Sequence, residues 1–505
     1  MRATIDKLDT SSIASWVCSG AIQRFPPLAP YHCLAHAPKQ LASQTVAAFS
    51  AGRSIHQELI SMPRRRLGIR PVNLLAPQDR VLYEALCNRV LQDVPDNRSY
   101  TAWSEFYDFA HPTNDADTLP NYLVEIDIAS CYEYINHKIL SEELYLQLDS
   151  RPEIDPIVSM LDEICGSNLG LPQLSEGSDR LAEIYLARIE RDLLRAGYSV
   201  VRWADDFKVG ASSWSEALTI IDEAAESARR SGLVLSTEKT IITKMSTLKR
   251  RIEREFDILG DYFADVATGD GRGTRTRSPY GDDPADEDIP EEEEDEEKEN
   301  EESPFDRVMD WKLVNDWCSK KHLRNVLSQY LSVSLMRLAG ADERIEDDCL
   351  LEIVFQNPLL LEAVSNYIKR RSHEVNQSWD TLQGLTAIAR QSSWSRIWML
   401  HVAGRLQSSE SRSEESVRSW VQDQVASPYE IVRAQSSWTL AGLQGITSEE
   451  LGRLYSTASD LTRPSLAASA GRSGISTGPI VKAMCGDSKL SKAAYDWGVW
   501  RIDNE

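Results

Sequence analysis

A pair of adjacent carboxylates in the stretch VVRWADDFKVG, from Val200 to Gly210, constrains the fold of this chain more than any other feature. Apolar and β-branched residues flank Asp205 and Asp206, which predicts two short strands joined by a tight hairpin turn. Such a turn can present both carboxylates to a divalent cation, because these cations prefer oxygen ligands. For an isolated pair, a solvated surface turn is the better explanation, so the interpretation depends on the rest of the chain.

The chain is acidic, with a net charge of −23, but most of this charge is local. The segment from Asp282 to Glu302 holds fifteen acidic residues and one lysine, so it carries −14 and leaves −9 for the remainder. Like charges in a run such as EEEEDEEKENEE repel one another and bury no apolar surface, which predicts a disordered linker over 264–304. A segment that mimics nucleic acid in a basic channel is the alternative.

The composition, with 42% hydrophobic and 26% charged residues, indicates a globular protein, of roughly two to four domains. No uninterrupted apolar window of about eighteen residues occurs, and the segment MRATIDKLDTSS lacks the apolar core of a signal peptide. We therefore expect a cytoplasmic protein. The eight cysteines are scattered without a CxxC pair, so we expect reduced packing residues rather than disulfides or a zinc site.

The hydrophobic patterns predict an α+β or α/β layered domain followed by an all-α region. Residues 1–62 are predicted to form a helical N-terminal extension, residues 63–263 the layered core and residues 305–505 a helical domain. The expected core elements are helices over Gln78–Gln92, Ile154–Ile164, Ser178–Arg195 and Ser215–Ser231, and strands over Tyr122–Ile128 and Leu233–Ile242.

Three segments of the C-terminal region resemble one another: SRIWMLHVAGRL from Ser395, VRAQSSWTLAGL from Val432 and TRPSLAASAGRS from Thr462. Their first arginines are 37 and 30 positions apart. This spacing suits stacked helical hairpins of the HEAT type, in which small residues allow close helix approach. An ordinary helical bundle with chance similarity is the alternative.

A metal site at the hairpin needs a third carboxylate from a neighbouring strand, and Asp127 is the natural candidate. It ends the apolar strand that begins at Tyr122, and Tyr132 follows five residues later in VEIDIASCYEYI. An aromatic ring at that offset can pack beneath the sugar of a nucleotide and exclude a 2′-hydroxyl. A core aromatic at the start of a helix is the alternative.

Three further segments suit the handling of nucleotides. GLPQ, at 170–173, is a turn that opens a helix and can bring the Gln173 amide near a base pair. PRRRLGIRP, from Pro63, holds four arginines, whose guanidinium groups can bind a triphosphate bidentately. GLVLS, from Gly232, leads to Lys239, whose ammonium can protonate a departing pyrophosphate. For each segment taken singly, an ordinary loop or solvated side chain is the commoner explanation.

In their order and spacing, these motifs resemble those of the reverse transcriptases: a basic hairpin, an Asp with an aromatic five residues later, GLPQ, the Asp-Asp hairpin and GLxLSxxKT. The resemblance extends from about Met62 to about Ile242, some two-fifths of the chain. It implies the fingers and palm of a right-handed polymerase, and therefore the α+β class with an antiparallel sheet and helices. It also implies RNA-directed synthesis of DNA from deoxynucleoside triphosphates, and two Mg²⁺ ions for which Mn²⁺ can substitute.

The same resemblance implies a role for each matching residue. Asp127, Ile128, Asp205 and Asp206 would bind metal, and Lys239 would be the general acid. The implied substrate contacts are the arginines Arg64, Arg65 and Arg70 on the triphosphate, Tyr132 as the steric gate, Gln173 on the template side, and Trp203.

Two residues depart from the family pattern. Trp203 stands where Tyr or Phe is usual before Ala-Asp-Asp, and Leu174 stands where Gly commonly follows GLPQ. The first change enlarges the side chain beside the primer terminus and the second alters how the turn approaches the template. The motifs therefore predict nucleotide addition, whereas these two departures affect the residues expected to contact the primer and the template. FDILGDYF, from Phe256, is also weakly similar to the primer-grip hairpin.

The region after the palm distinguishes branches of this family. It shows no basic maturase or nuclease segment, no Val-Thr-Gly retron signature and no ribonuclease H pattern. A palm followed by helical repeats instead resembles the bacterial abortive-infection and related defence-associated reverse transcriptases. In that branch a helical repeat domain replaces the thumb, the protein forms homo-oligomers, and some members make DNA without an ordinary template or primer. A protein tyrosine or a bound small non-coding RNA would then supply the initiating hydroxyl.

Two other functions are compatible with the sequence. One is a templated reverse transcriptase of a mobile element, retron or group II intron-like. The other is an inactive palm that serves as an RNA-binding scaffold, against which the three carboxylates argue because a scaffold has no physical need for converging negative charges.

Overall fold

The computed structural model describes residues 8–20, 22–64, 68–94, 100–110, 120–148, 152–260, 262, 304–371, 375–476 and 478–504. They fall into two compact units, one of residues 1–89 with 304–505 and one of residues 90–303. The predicted division into four domains stays a prediction, since compactness and family boundaries are different criteria. The acidic 282–302 run lies outside the described residues.

The N-terminal part of the first unit consists of short helices and one hairpin. Its elements are α1 (Thr10–Cys18), α2 (Ala29–His32), α3 (Pro38–Ser50), β1 (Gln57–Pro63), β2 (Ile69–Leu75) and α4 (Pro77–Leu91), the last of which crosses into the second unit. Strands β1 and β2 pair in antiparallel register, with Met62 opposite Arg70. The basic segment predicted from the sequence therefore forms the tip of this hairpin, as far as its residues are described.

The C-terminal part of the first unit contains α-helices and no β-strand among its described residues. Its helices are α12 (Pro304–Ser319), α13 (Arg324–Leu327), α14 (Leu331–Gly340), α15 (Asp347–Gln356), α16 (Leu361–Arg370), α17 (Val375–Thr386), α18 (Ser393–Ala403), α19 (Arg412–Asp423), α20 (Glu430–Gly442), α21 (Ser448–Thr457), α22 (Arg463–Arg472), α23 (Pro479–Asp487) and α24 (Lys489–Asn504). From α14 onward, each even-numbered helix packs against the next even-numbered one, and α15, α17 and α19 pack likewise. Two layers of helices result, and the three similar segments supply α18, α20 and α22 of one layer.

The N-terminal part is anchored on this helical layer within the same unit. The Arg24 carbonyl accepts hydrogen bonds from the indole N–H groups of Trp394 and Trp398, at 2.6 and 3.1 Å. The Glu58 carboxylate, in β1, accepts from the first two N–H groups of α20, at 2.7 and 2.8 Å. A carboxylate at a helix N-terminus satisfies donors that have no partner inside the helix.

The second unit is a four-stranded antiparallel sheet with helices. Its elements are α5 (Tyr100–Ala110), β3 (Tyr122–Asp127), α6 (Cys131–Tyr134), α7 (His137–Leu148), α8 (Ile154–Cys165), α9 (Glu176–Arg195), β4 (Val200–Trp203), β5 (Asp206–Ala211), α10 (Trp214–Arg230), β6 (Ile241–Lys244) and α11 (Met245–Gly260). The strand order is β4-β5-β3-β6. Ser213 caps α10 by accepting from the N–H of Glu216 at 3.2 Å, and Ala217, Ile220 and Ala224 bury one face of that helix.

Local patterns predicted most of these elements. The expected helices and the strand over Tyr122–Ile128 agree with α4, α8, α9, α10 and β3 to within two residues at each end. The strand expected over Leu233–Ile242 is wrong for most of its length, since β6 begins at Ile241. The N–H groups of Lys239 and Thr240 donate to the Ser236 carbonyl, so a turn interrupts the apolar run.

The primer-grip similarity of FDILGDYF is not matched by a hairpin among its described residues. The segment from Phe256 to Gly260 belongs to helix α11. The apolar residues of this segment therefore follow a helical period.

None of the described helices combines the length and the apolarity that a membrane span requires.

The expectation that all cysteines are reduced is wrong for one pair. Cys318, in α12, and Cys349, in α15, form a disulfide with a Cα–Cα distance of 5.9 Å. They lie 31 positions apart, so no local spacing indicates the pair, and packing of α12 against α15 brings them together. Four of the six free cysteines are buried, as packing residues should be.

Candidate active site

The register of the sheet brings two of the predicted carboxylates together. Asp127, the last residue of β3, lies opposite Asp206, the first residue of β5. Directly opposed residues of an antiparallel pair point to the same face, with Cβ atoms about 5 Å apart. Asp205 occupies the turn before β5, and its carbonyl accepts a bond from the Ile128 N–H at 3.4 Å. All three carboxylates therefore lie at one edge of the sheet.

The turn between β4 and β5 is tight, since Trp203 pairs with Asp206 and only two residues intervene. Ala204, the first of these, has a φ of 51°. Two-residue hairpins favour turns with positive φ at this position, because their twist matches that of the strands. Glycine usually takes this conformation, and here an alanine does.

Two other motif positions have the same backbone conformation. Ser130, before α6, has a φ of 46°, and Leu174, after GLPQ, has a φ of 62°. A positive φ costs a non-glycine residue on the order of 1–3 kcal/mol. The structure thereby explains why Gly commonly occupies the place of Leu174, and it puts a strained residue in each of three motifs.

Arg202 anchors the carboxylate hairpin to helix α9 from the opposite face of the sheet. Its side chain is 3% exposed, and its guanidinium lies 2.8 Å from Glu183 and 3.0 Å from Glu190. The same group donates to the Ala204 carbonyl at 3.0 Å. Burial tends to lower the pKa of Arg202, but the two glutamates outweigh burial and raise it. The strained turn is thus held by a buried charge network.

Lys239 lies on the carboxylate site rather than apart from it. Its Nζ is 2.6 Å from Oδ1 of Asp127, and the two side chains are 63% and 5% exposed. The turn around Ser236 positions this lysine, and the Ser236 N–H also donates to the Asp127 carbonyl at 2.7 Å. The predicted role of Lys239 as general acid stays a prediction. In this structure its ammonium is a cation bound at the carboxylate.

Tyr132 and the GLPQ turn are joined by main-chain bonds. The Leu171 N–H donates to the Tyr132 carbonyl at 2.7 Å, and the Gly170 N–H donates to the Ile135 carbonyl at 2.8 Å. The Tyr132 hydroxyl donates to the carboxylate of Asp179, in the first turn of α9. Gln173, 6% exposed, is buried at the end of the same turn. Both predicted substrate contacts therefore belong to one folded segment.

His137 fixes this segment from inside. It is 1% exposed, and its Nε2 lies 2.6 Å from the Gly170 carbonyl oxygen. Its Nδ1 lies 2.5 Å from Oδ1 of Asp162. Gly170 itself has a φ of 106°, a conformation that other residues rarely adopt.

Helix α5 packs on the sheet face that carries the carboxylates. Trp203 is 2% exposed, and its ring lies 5.3 Å from that of Trp103 in an edge-to-face arrangement. Lys208, two residues after Asp206 and so on the same face, donates to the Phe106 carbonyl at 2.9 Å. Burial lowers the pKa of Lys208 to about 8. The enlarged aromatic at position 203 therefore packs against a helix, and its predicted substrate contact stays a prediction.

The predicted triphosphate arginines belong to the other compact unit. Arg64 directly follows β1, and its N–H donates to the Gly68 carbonyl at 2.9 Å. Arg70 lies in β2 opposite Met62, and Arg65 lies outside the described residues. Their contact with a triphosphate remains a prediction.

The side chains at the sheet edge are of the chemical type that binds divalent metal ions. Asp127, Asp205 and Asp206 offer hard oxygen donors, and Ile128 can offer only its main-chain carbonyl. The Lys239 ammonium at Asp127 marks a position where positive charge is stabilised. Among the described residues, no three acidic, histidine or cysteine side chains converge closely enough to form a metal-binding group. Metal binding would therefore require side-chain rearrangement around Asp127.

Sequence reasoning missed the residues that hold the motifs in place. These are Arg202, Glu183, Glu190, His137 and Asp179. The sequence did contain a signal for Arg202 and its two glutamates. An arginine lies in an apolar strand, and two glutamates seven positions apart lie on one face of the preceding helix. No local pattern indicated the contacts of His137.

Comparisons with known proteins agree with the motif order. The family model described as reverse transcriptase (RNA-dependent DNA polymerase) matches residues 63–262. No curated protein sequence matches the chain.

Several telomerase structures are similar to the chain at low identity. Telomerase from Candida tropicalis in complex with a fragment of telomeric RNA is 13% identical, with 72% of this chain and 68% of that chain covered and a TM-score of 0.29. The apo form from the same organism is 12% identical, with coverages of 78% and 73% and a TM-score of 0.29. Telomerase from Candida albicans is 11% identical, with coverages of 80% and 68% and a TM-score of 0.28.

Proposed function

We infer that this chain is a Mg²⁺-dependent enzyme of bacterial antiphage defence. It carries a reverse transcriptase domain at residues 63–262 and is accordingly an RNA-directed DNA polymerase, which is a nucleotidyltransferase. The observation that carries the catalytic part is the pairing of Asp127 with Asp206 beside Asp205. Three carboxylates at one sheet edge concentrate negative charge, which favours bound cations there.

In this proposal Asp127, Asp205 and Asp206 hold two Mg²⁺ ions, for which Mn²⁺ can substitute, with the Ile128 carbonyl beside them. When bound, the ions supply the Lewis acidity that activates a 3′-hydroxyl and offsets charge on the phosphates. Arg64, Arg65 and Arg70 bind the triphosphate, and Gln173 contacts the template side. Lys239 leaves Asp127 to protonate the departing pyrophosphate.

Three features support the atypical, defence-associated branch. The two helical layers formed by the described residues from Pro304 onward suit HEAT-like repeats in place of a thumb. Leu174 holds a positive φ where the family uses glycine, and Trp203 is packed against α5. We therefore propose an enzyme that works with a small RNA or without an ordinary template. By resemblance to that branch, we also propose that it is a cytoplasmic homo-oligomer.

Incubation of the purified protein with Mg²⁺ and each labelled deoxynucleotide tests the polymerase proposal. We expect incorporation that a chelator abolishes and Mn²⁺ restores. The control is the double variant Asp205→Ala/Asp206→Ala. Equal incorporation by that variant, or none by the native protein, would leave the scaffold function as the better account.

Sequencing of the nucleic acid that copurifies with the protein tests the defence proposal separately. We expect DNA whose sequence matches no genomic or intron template, attached to a tyrosine or to a small RNA. A copy of a genomic or intron sequence would identify an enzyme of a mobile element instead.

Replacement of Tyr132 tests its role as steric gate. We expect Tyr132→Ala to raise ribonucleotide use relative to deoxynucleotide use by about tenfold or more, because the ring that excludes the 2′-hydroxyl is gone. Tyr132→Phe keeps the ring, removes the hydroxyl that bonds Asp179, and should leave the ratio unchanged. The measurement is kcat/KM for both nucleotides, and an unchanged ratio in Tyr132→Ala would make Tyr132 a packing residue.

A further inference from the structure

Asp127 is the most buried of the three carboxylates at the sheet edge. Its side chain is 5% exposed, whereas Asp205 and Asp206 are half-buried. A carboxylate that is removed from water needs a positive partner to stay charged at low cost. The Lys239 ammonium supplies that charge, with its Nζ 2.6 Å from Oδ1 of Asp127. The end of strand β3 therefore holds a cation at a carboxylate that the proposed metal ions would also use.

Main-chain hydrogen bonds fix the backbone of Lys239 beside Asp127. The Ser236 N–H donates to the Asp127 carbonyl at 2.7 Å, and the Ala129 N–H donates to the Val234 carbonyl at 2.9 Å. The Lys239 N–H in turn donates to the Ser236 carbonyl at 3.3 Å. The turn is thus attached to the end of β3 at two points, and Lys239 stays within reach of Asp127 when its side chain moves.

The side chain of Lys239 can leave Asp127 at low cost. It is 63% exposed, so water can replace the carboxylate around the ammonium. Arg202, in contrast, is 3% exposed, and its guanidinium contacts the carboxylates of Glu183 and Glu190. Of these two cations, Lys239 is therefore the one that can be displaced.

Lys239 and a divalent cation cannot share Asp127 favourably. Like charges at one carboxylate repel each other at short range, and burial strengthens that repulsion because it lowers the local dielectric. We propose that Lys239 is an internal counterion of the carboxylate site, which competes with the metal ions for Asp127 and leaves it when they bind. This inference rests on the proposed function. Because such coupling is reciprocal, metal binding also releases the Lys239 ammonium toward the phosphates.

Binding of Mn²⁺ to the full chain without nucleotide, measured by electron paramagnetic resonance, tests the proposal. The acidic run of residues 282–302 also attracts cations, so binding at the site is the part that Asp205→Ala/Asp206→Ala loses. We expect Lys239→Gln to bind Mn²⁺ at the site about tenfold more tightly than the native protein, because no ion pair has to be broken. Structural damage would weaken binding, so tighter binding reports the loss of a competing cation.

The matched control is Lys244→Gln, which removes an exposed lysine of the same sheet. Lys244 pairs with Tyr122 at the other end of β3, roughly 17 Å from Asp127 at the rise of a strand. Its Mn²⁺ affinity should stay within about threefold of native, because exposed charges at that distance are screened. Lys239→Arg keeps a positive charge and should bind Mn²⁺ no more tightly than the native protein.

The outcomes separate this proposal from the metal site itself. Mn²⁺ affinity of Lys239→Gln within about threefold of native, or equal tightening in Lys244→Gln, would overturn the proposal and leave the metal site standing. Absence of the Asp205- and Asp206-dependent binding from both the native protein and Lys239→Gln would overturn the metal site, and the proposal with it. As a second measurement, Mg²⁺ should raise the melting temperature of Lys239→Gln more than that of the native protein, because stabilisation by a ligand grows with its affinity. A smaller rise in the variant would contradict the competition.

Discussion

Replacement of Asp206 by asparagine is expected to lower deoxynucleotide incorporation by more than about a hundredfold. Asparagine preserves the shape of the side chain and removes its charge. Asp206 lies directly opposite Asp127 at the end of the strand pair, so its charge acts on the same small volume as that of Asp127. A divalent cation binds carboxylates far better than amides, and the proposed metal site would lose a ligand.

The same substitution should leave the fold intact or stabilise it slightly. Like charges directly opposite each other in an antiparallel pair are destabilising, and Asp206→Asn removes such a pair in the metal-free protein. Melting temperature and kcat should therefore change independently. Asp222→Asn, an exposed aspartate in α10, is the control for removal of one negative charge. Activity of Asp206→Asn within tenfold of native would contradict the assignment of Asp206 as a metal ligand.

Replacement of Arg202 by methionine is expected to lower the free energy of unfolding by about 3–5 kcal/mol. The native guanidinium contacts two glutamates, Glu183 at 11% and Glu190 at 27% exposure, while its own side chain is 3% exposed. Methionine fills similar space but leaves those carboxylates without their cation. Loss of the bond to the Ala204 carbonyl should also loosen the turn that carries Asp205, so incorporation should fall.

Urea unfolding of a series of variants measures this effect. Arg229→Met is the control, because Arg229 is 73% exposed and its pair with Glu226 is solvated, and it should change stability by less than about 1 kcal/mol. Arg202→Lys keeps the charge with fewer bonds and should fall between native and methionine. Adding Glu183→Gln and Glu190→Gln to Arg202→Met should recover part of the loss, since the buried charges are then gone. No recovery would mean that packing, rather than charge, accounts for the cost.

Elements with a strong local period were predictable from the sequence. The burial pattern of α10, with Ala217, Ile220 and Ala224 on one face, is set by residues a few positions apart. The error at Leu233–Ile242 arose where an apolar run contains a turn, since Ser236 accepts bonds from two later N–H groups and ends the extended conformation. Period alone does not reveal such a turn.

Parts of the candidate site could also be predicted from the sequence, because each motif is a contiguous segment. The strand ending in Asp127 and the hairpin around Asp205 could be read from neighbouring residues. The disulfide between Cys318 and Cys349 could not, because it depends on two helices packing across 31 positions.

The sequence by itself determined the reverse transcriptase motifs, their order and the elements that carry them, because short-range hydrogen bonds and side-chain period act between near neighbours. Only the tertiary structure decided which groups meet. It placed Asp206 opposite Asp127, the Lys239 ammonium on Asp127 from 112 positions away, and Arg202 between two glutamates of α9. Strand register and helix packing set these contacts, and both depend on the burial of the whole unit rather than on any local segment.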